Sequence, residues 1–430
     1  MPKGKRKGRS DRGRNDGSLN SSDDESFMDN ASVVSNYSEN KSGEECEDAD
    51  LLAQEQLEEK LVEILDGLTQ KSSQGRINCF DTLTKGFVKK CMPGFIRDRQ
   101  FTICDSIERS LKKGGGPEKI AAAELATVIC VQLGGEDATE DICRLLKPIL
   151  LSLICDNSVA APVRAKCCTA LGNIIFLSGG EIGDVLLLMQ QLEAIYSASY
   201  LKGDGTVPTI SPDLGVLHAA AIQSWNLLFT LLSPGNIGTM INNSKALPSL
   251  EKLSELLESA HLDVRMAAGE SLALIYELGR EESEDFEEEF ALDVTETLKQ
   301  LATDSHKYRA KKDRKQQRAT FRDILQFIES DIVPELQIKF GKETLVLDSW
   351  IRRKQYEMLC NILGPSINVH LTENDLLRDI FEIALPAPSS EMPAHAQHQM
   401  ERYRKRLINA ANFKARTLSR ARNRDKRSDF

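Results

Sequence analysis

Two clusters of lysine and arginine are the residues of this 430-residue chain whose type and spacing best suit a chemical task. The first cluster comprises Lys307, Arg309, Lys311, Lys312, Arg314, Lys315, Arg318 and Arg322. The second comprises Arg402, Arg404, Lys405, Arg406, Lys414, Arg416, Arg420, Arg422, Arg424, Lys426 and Arg427. Each contact between such a cation and a phosphate group releases a condensed counterion, so the two clusters predict binding to a polyanion.

The charge of the chain is divided unevenly along its length. Residues 306–430 contain 25 Lys and Arg residues against 16 Asp and Glu residues, whereas residues 1–305 contain 30 against 49. Many cations with few aromatic residues, and with no zinc-finger or RRM signature, favour recognition of the shape and backbone of folded RNA. A DNA-binding factor is the weaker alternative, because no element resembles a base-reading helix.

Aromatic side chains lie among the cations. Tyr308, Tyr403 and Phe413 have positions from which they could stack on bases, although packing in a core explains Phe413 equally well. The alternative interpretation of the clusters themselves is a pair of solvated helix faces, but eight cations between residues 307 and 322 exceed what solubility needs.

No pattern in the sequence indicates catalysis or a bound metal. His395 and His398 have a metal-like spacing, but they lie in a segment rich in Pro and Ser without a second pair of ligands. The glycine run 114–117 lacks the Gly-Lys-Ser/Thr of a phosphate-binding loop and predicts a helix end. His218 lies in an Ala-rich helical pattern, which favours a core or groove residue. We therefore expect a protein that is not an enzyme and has no metal, cofactor or small-molecule substrate.

Composition limits the class of protein further. Hydrophobic residues make up 41% of the chain and aromatic residues 6%, which suits a helical protein rich in Ala and Leu. No apolar run approaches the roughly 20 residues that a membrane-spanning helix needs, so we expect no membrane partner. The ten cysteines are scattered and none forms a C-x-x-C pair, which predicts reduced, buried thiols in a cytosolic or nuclear protein.

The elements that must position the clusters are helices. Residues 51–330 contain apolar residues at helical spacing, separated by Gly and Pro. Five segments resemble one another and begin at intervals of 43, 45, 54 and 47 residues: 75–83, 118–125, 163–171, 217–225 and 264–272. Such a period predicts an all-α superhelix of HEAT- or armadillo-like repeats, with these segments as inner helices. An irregular all-helical domain is the alternative.

The remaining segments differ in character. Residues 1–50 should be disordered, because they contain almost no aliphatic residues; their basic run 3–9 fits a solvated tail, nuclear import or nucleic-acid contact. Residues 331–385 predict a small α+β module, with a hairpin at Gly341 and helices at about 348–363 and 372–383. Residues 386–400 predict a linker, and residues 401–430 a basic helix that becomes ordered on a partner.

Several blocks of residues carry a resemblance to a known family. They are residues 105–114, 267–274, 301–311, 317–323, 409–417 and 424–427. On these blocks the chain resembles the interferon-related developmental regulator family over roughly residues 50–430. The resemblance implies a helical-repeat regulator without enzymatic activity.

The resemblance implies two roles and does not decide between them. One is binding to non-translating ribosomes, with the C-terminal helix occupying the path of the RNA and blocking translation. The other is nuclear co-regulation of transcription through corepressor proteins during differentiation. The charge distribution favours the first role, because two basic elements suit ribosomal RNA. A protein that acts in both roles is expected in the cytoplasm and in the nucleus.

Overall fold

The computed structural model describes residues 43–384, with gaps at 136, 236, 243–245, 304–310 and 342. Residues 1–42 of the segment 1–50 predicted to be disordered lie outside the described residues, as do the linker 386–400 and the basic segment 401–430, whereas residues 43–50 are helical. The chain divides into two compact units, residues 1–59 and 60–430. Within the first unit, residues 43–59 form the N-terminal part of a helix. All packing described below lies within the second unit.

Helices occupy most of the described chain. The first group is α1 (Gly43–Gly67), α2 (Ser73–Lys89), α3 (Pro93–Asp98), α4 (Gln100–Lys113), α5 (Gly116–Leu133), α6 (Asp137–Cys155) and α7 (Ala161–Ser178). The second group is α8 (Ile182–Tyr196), α9 (Pro212–Phe229), α10 (Ile237–Asn242), α11 (Leu250–Glu255), α12 (Leu262–Glu282), α13 (Glu288–Thr303) and α14 (Lys311–Ser330). The C-terminal group is β1 (Leu336–Phe340), β2 (Glu343–Leu347), α15 (Trp350–Leu363), α16 (Ile367–Glu373) and α17 (Asp375–Ile380).

A series of inner helices forms the core of the second unit. Helices α2, α5, α7, α9, α12 and α14 pack side by side in that order, and α4, α6, α8, α11 and α13 each pack against the inner helix that follows. The five segments predicted as inner helices all lie within this series, which confirms the predicted helical repeats. Small residues permit the close packing: a Cβ atom on Gly172 of α7 would lie 2.8 Å from Cβ of Ser224 in α9.

Inner helices carry a polar side chain at the same position near their start. Arg76, Lys119, Arg164 and Arg265 donate to the main-chain carbonyl groups of Gln70, Leu111, Ile154 and Ser259, respectively. His218 has the equivalent position in α9, where its Nδ1 lies 2.6 Å from the hydroxyl oxygen of Ser199. The bonds from Arg76, Lys119, Arg164 and Arg265 satisfy carbonyls in the last helical turn or the connection before each inner helix, where the last carbonyls of a helix have no partner within it.

The C-terminal group begins with the predicted hairpin. Strands β1 and β2 are antiparallel, with Phe340 opposite Glu343, and Gly341 in the turn has a φ of +52°. Positive φ is a conformation that glycine adopts without steric cost. The predicted helix at 348–363 is α15, whereas the one at 372–383 is divided between α16 and α17.

Helices α15–α17, which we call the C-terminal strap, pack back across the inner helices. Backbone N–H groups of Trp350 and Ile351 donate to Glu277 of α12, both at 2.8 Å. Farther along the strap, His370 Nε2 lies 2.8 Å from the carbonyl oxygen of Val88 in α2. The strap therefore runs from α12 towards α2, against the order of the repeats.

The strap contacts equivalent positions of several repeats. Asn374 donates to the carbonyl group of Val131 in α5 at 3.0 Å, and Gln355 donates to the hydroxyl group of Thr230, the residue that follows α9, at 3.3 Å. Val88, Val131, Thr230 and Glu277 each lie thirteen residues after the start of their predicted segment. Four of the five repeats therefore contact the strap at the same position.

The nine cysteines from Cys79 to Cys360 are free thiols. Burial raises the pKa of Cys104 and Cys167 to about 12, which keeps both protonated. Cys155 is exposed, so the expectation that the cysteines are buried is wrong there. Among the described helices, none combines the length and the apolar character that crossing a membrane requires.

Candidate nucleic-acid interface

Helix α14 positions the described part of the first basic cluster. The helical spacing of Phe321, Ile324 and Ile328 predicts that they anchor α14 to the preceding repeat, and all three are buried, which confirms this prediction. Gly269 of α12 allows the close contact, because a Cβ atom there would lie 2.7 Å from Cε1 of Phe321 and 2.9 Å from Cδ1 of Ile324. Near the start of α14, Gln317 accepts a hydrogen bond of 2.6 Å from Arg265. The helix is therefore held along its length.

The cations of α14 form a stripe on its outer side. Lys311, Lys315 and Arg322 are exposed, and Arg318 between them is partly exposed. Their spacing of three and four residues places them on one face of the helix. Lys312 is also exposed, whereas Arg314 is partly buried and its Nε has no hydrogen-bond partner in the described structure. The stripe is a fixed row of charges at one edge of the inner-helix series.

Opposite charges lie at the two ends of α14. Arg280, near the end of α12, donates to the carbonyl groups of Phe327 and Ile328, so the C-terminal ends of α12 and α14 are adjacent. The acidic residues at 281–289 follow directly. The basic stripe begins at Lys311, at the other end of a helix of 20 residues, which is about 30 Å long. A polyanion is thereby favoured at the N-terminal end of α14.

The cations of α15 have internal partners and do not extend the stripe. Arg352 pairs with Glu382 at 2.7 Å, and Arg353 lies 3.5 Å from Asp323 and stacks over Trp350. From the sequence we expect Trp350 to be a core residue, and it is buried. The sequence also predicts that the Arg and Lys residues after Trp350 add charge, but it does not show that they are paired, because their partners are distant along the chain.

Lys354 is a buried cation of α15. Its ammonium group bonds to Gln223, to Glu270 at 3.2 Å and to Glu357 at 2.9 Å. Burial raises the pKa of Glu270, while the two carboxylates raise the pKa of Lys354 against the opposing effect of burial. This network fastens the strap to α9 and α12.

The other predicted RNA-binding residues lie outside the described residues. They are Lys307 and Arg309 of the first cluster, and Arg402, Arg404, Lys405, Arg406, Lys414, Arg416, Arg420, Arg422, Arg424, Lys426 and Arg427 of the second. His395 and His398, which have metal-like spacing, also lie there. Within the described ranges, no three His, Cys, Asp or Glu side chains come together in a group that could hold a metal ion.

A polar cleft that the sequence did not predict lies on the other side of α14. The cleft has a volume of about 480 Å³ and lies between α15 and the inner helices α7, α9, α12 and α14. Gln316 and Thr320 of α14 line it, so the cleft and the basic stripe lie on different faces of that helix. Asn173 in α7 also lines it and is only 7% exposed. A polar residue within the apolar run 170–177 was the one signal that pointed here.

Comparison with known proteins identifies the family. A family model described as interferon-related developmental regulator matches residues 30–329, which is more than half of the chain. The chain belongs to the interferon-related developmental regulator family. A second model, described as the interferon-related protein conserved region, matches residues 374–428 and covers the whole second basic cluster.

Members of the interferon-related developmental regulator family from mammals align over most of this chain. Interferon-related developmental regulator 2 of Mus musculus is 37% identical over 377 residues, which cover 88% of this chain and 84% of the relative. Interferon-related developmental regulator 1 of Homo sapiens is 36% identical over 412 residues, or 95% of this chain and 90% of the relative. Interferon-related developmental regulator 1 of Sus scrofa is 35% identical over 412 residues, which also cover 95% of this chain and 90% of the relative. The resemblance seen in the sequence is confirmed.

Proposed function

We propose that this member of the family is a non-enzymatic regulator that binds ribosomes through ribosomal RNA and thereby represses translation. The observation that carries the proposal is the exposed stripe of Lys311, Lys315 and Arg322 on a helix that is anchored to the repeats. A rigid row of cations suits the phosphate backbone of folded RNA. The family name of a developmental regulator is consistent with a protein that controls expression without catalysis.

The two basic clusters would divide the task. Helix α14 would hold the RNA surface at the edge of the repeats, where its position is fixed by Phe321 and Ile324. Residues 402–427 would enter an RNA-walled channel as a helix and obstruct it. The acidic residues at 281–289 would be repelled by RNA and would set the orientation of α14 on the ribosome.

Sedimentation of purified ribosomes with the full-length protein tests the proposal. The triple variant Lys311→Ala, Lys312→Ala, Lys315→Ala should bind ribosomes more weakly. The slope of log K against the logarithm of the salt concentration should decrease in magnitude by about two, because each lost phosphate contact removes roughly 0.7–0.9 from it. A chain that ends at residue 400 should lose stable co-sedimentation.

A matched variant controls for the change in net charge. Lys71, Lys89 and Lys113 are exposed lysines on other helices and connections, and their replacement by Ala removes the same charge. If this control variant weakens binding as much as the α14 variant does, attraction is non-specific and the interface is elsewhere. Unchanged co-sedimentation of the chain that ends at residue 400 would contradict the insertion of the tail.

The alternative function is nuclear co-regulation of transcription, with corepressor proteins as partners. The specific observation in its favour is the polar cleft beside α15, the part of the inner surface that a peptide can reach next to the strap. This function predicts nuclear residence and partners that remain bound at high salt, whereas ribosome binding predicts a cytoplasmic pool that is released by salt. Fractionation of cells at two salt concentrations distinguishes them, and a protein that moves between both compartments would show both pools.

A further inference from the structure

The cleft beside α15 has the features of a site for an extended peptide. Asn173 lies in its floor, is only 7% exposed, and makes no side-chain hydrogen bond with any described residue. Its carboxamide lines the open cleft and is not bonded by the protein, so it is available to a ligand. Because a carboxamide donates and accepts at once, it matches the N–H and C=O groups of a peptide backbone.

The charges around the cleft select for cations. Asp263 and Glu357 both line it, and Asp263 has no ion-pair partner among the described residues. Lys354 already shows how the cleft receives an ammonium group, since its Nζ bonds to Glu270 and Glu357 at 3.2 and 2.9 Å. A peptide with Lys or Arg side chains would add to this arrangement.

We propose that the occupant is the basic segment 402–427 of the same chain. That segment contains eleven Lys and Arg residues and a single acidic residue, Asp425. The described chain ends beside α15, the helix that forms one wall of the cleft, because Glu382 pairs with Arg352 of α15 at 2.7 Å. The residues between 384 and 402 span up to about 60 Å when extended, which is ample for this connection.

Docking in the cleft would make the segment unavailable to other partners. One part of the chain cannot lie in the cleft and on RNA at the same time, so RNA would have to displace it. This consequence rests on the proposed function, whereas the docking itself rests on Asn173, Asp263 and Glu357. The protein would then be latent until a strong polyanion competes for its tail.

Zero-length cross-linking of the full-length, RNA-free protein tests the docking. A carbodiimide joins a lysine amine to a carboxylate in direct contact, and mass spectrometry identifies the joined pair. We expect Lys405, Lys414 or Lys426 to be joined to Asp263 or Glu357. The exposed carboxylates Glu288 and Glu289 at the start of α13 should react only at background level, and joining there at an equal rate would overturn the proposal.

Variants and labelled mixtures sharpen the test. Asn173→Ala should reduce the cleft cross-links by about five-fold, the effect of losing one buried hydrogen-bonding group, whereas Asn78→Ala on α2, which is exposed, should leave them unchanged. Cross-linking a mixture of unlabelled and isotopically heavy protein shows whether the docked segment comes from the same molecule or from a second one. Cross-links mainly between light and heavy chains would overturn the proposal in favour of a second copy.

Adding a structured ribosomal RNA fragment separates this proposal from the proposed function. If both hold, RNA should reduce the cleft cross-links as it binds. Cross-links that persist because no RNA binds would refute the proposed function and leave the docking intact. RNA binding through α14 without any cleft cross-links in the free protein would refute the docking and leave the proposed function intact.

Discussion

Glu118 of α5 accepts two hydrogen bonds from the guanidinium of Arg76 in α2, at 2.8 Å from Nε and 2.7 Å from Nη2. The hydroxyl groups of Ser73 and Ser110 donate to the same carboxylate, at 2.8 and 2.9 Å. These bonds join two neighbouring inner helices near their N-terminal ends. The bonds from Arg76 are the main reason that the pKa of Glu118 is lowered to about 2.

Replacement of Glu118 by Gln should destabilise the protein by roughly 3 kcal/mol at pH 7, because Arg76 loses its buried ionic partner. The low pKa of Glu118 in the folded state means that its contribution is present above pH 4.5 and is lost as the pH falls towards 2. Urea unfolding followed by circular dichroism at pH 7, 4 and 3 measures this. Glu140→Gln on the exposed side of α6 is the control, and an equal loss there would contradict the assignment.

Glu277→Gln should reduce the pH dependence of stability above pH 5. Burial raises the pKa of Glu277 to about 7, with Glu281 and Asp348 adding to the rise and the N–H groups of Trp350 and Ile351 opposing it. The folded state therefore binds a proton more readily than the unfolded chain between pH 4.5 and 7, so this group stabilises at pH 5.5 and loses that effect by pH 8. In the variant, the free energy of unfolding at pH 5.5 and that at pH 8 should differ by roughly 2 kcal/mol less than in the unaltered protein.

Two comparisons check the role of Glu277. Glu281→Gln changes an exposed carboxylate on the same helix and should have a much smaller effect on the pH dependence. Hydrogen exchange of the amides of Trp350 and Ile351 should quicken in Glu277→Ala, because their acceptor is removed. Unaltered exchange at these two amides would show that the carboxylate does not hold the strap.

Lys354→Met should destabilise the protein by roughly 3 kcal/mol, because Glu270 is left as a buried charge without its cationic partner. The double variant Lys354→Met, Glu270→Leu should recover part of the loss, since it removes both charges together. A double-mutant cycle of urea unfolding free energies gives the coupling. Lys89→Met, at an exposed position of α2, is the control. If the destabilising effects of Lys354→Met and Glu270→Leu simply add, the two residues do not interact and the pairing is refuted.

Gly269→Ala should destabilise the protein by about 1 kcal/mol, although Ala favours a helix by about that amount, because overpacking against Phe321 and Ile324 costs more. Gly183→Ala in α8 provides the contrast, since a Cβ there would meet nothing within 4 Å, and it should be neutral or stabilising. Thermal unfolding of both variants measures the difference. Equal effects of the two substitutions would show that the contact between α12 and α14 tolerates the methyl group.

Local pattern sufficed to predict the inner helices and the face of α14. Arg164 and Arg265 are each the second residue of a predicted inner segment, and each donates to a carbonyl group that precedes its own helix. The buried positions Phe321 and Ile324 followed from helical spacing alone. Such features depend on residues a few positions apart, which is the range over which periodicity carries information.

The path of the strap could not be predicted from pattern. His370 contacts Val88 and Asn374 contacts Val131, pairs that are 282 and 243 residues apart. Nothing in the residues around His370 specifies which helix it meets. The choice depends on the fit of α15–α17 to a surface that exists only after the repeats have packed.

The sequence by itself determined the helical repeats, their approximate boundaries and the cations of α14, because apolar periodicity and helical geometry act over a single element. Tertiary structure alone decided which charges remain exposed, since Arg352, Arg353 and Lys354 are paired with residues from other elements while Lys311 and Lys315 face outward. It also created the cleft that Asn173 lines, which requires α15 to lie beside α9 and α12. Charge and burial at such sites are properties of neighbours brought together by packing, and those neighbours are distant along the chain.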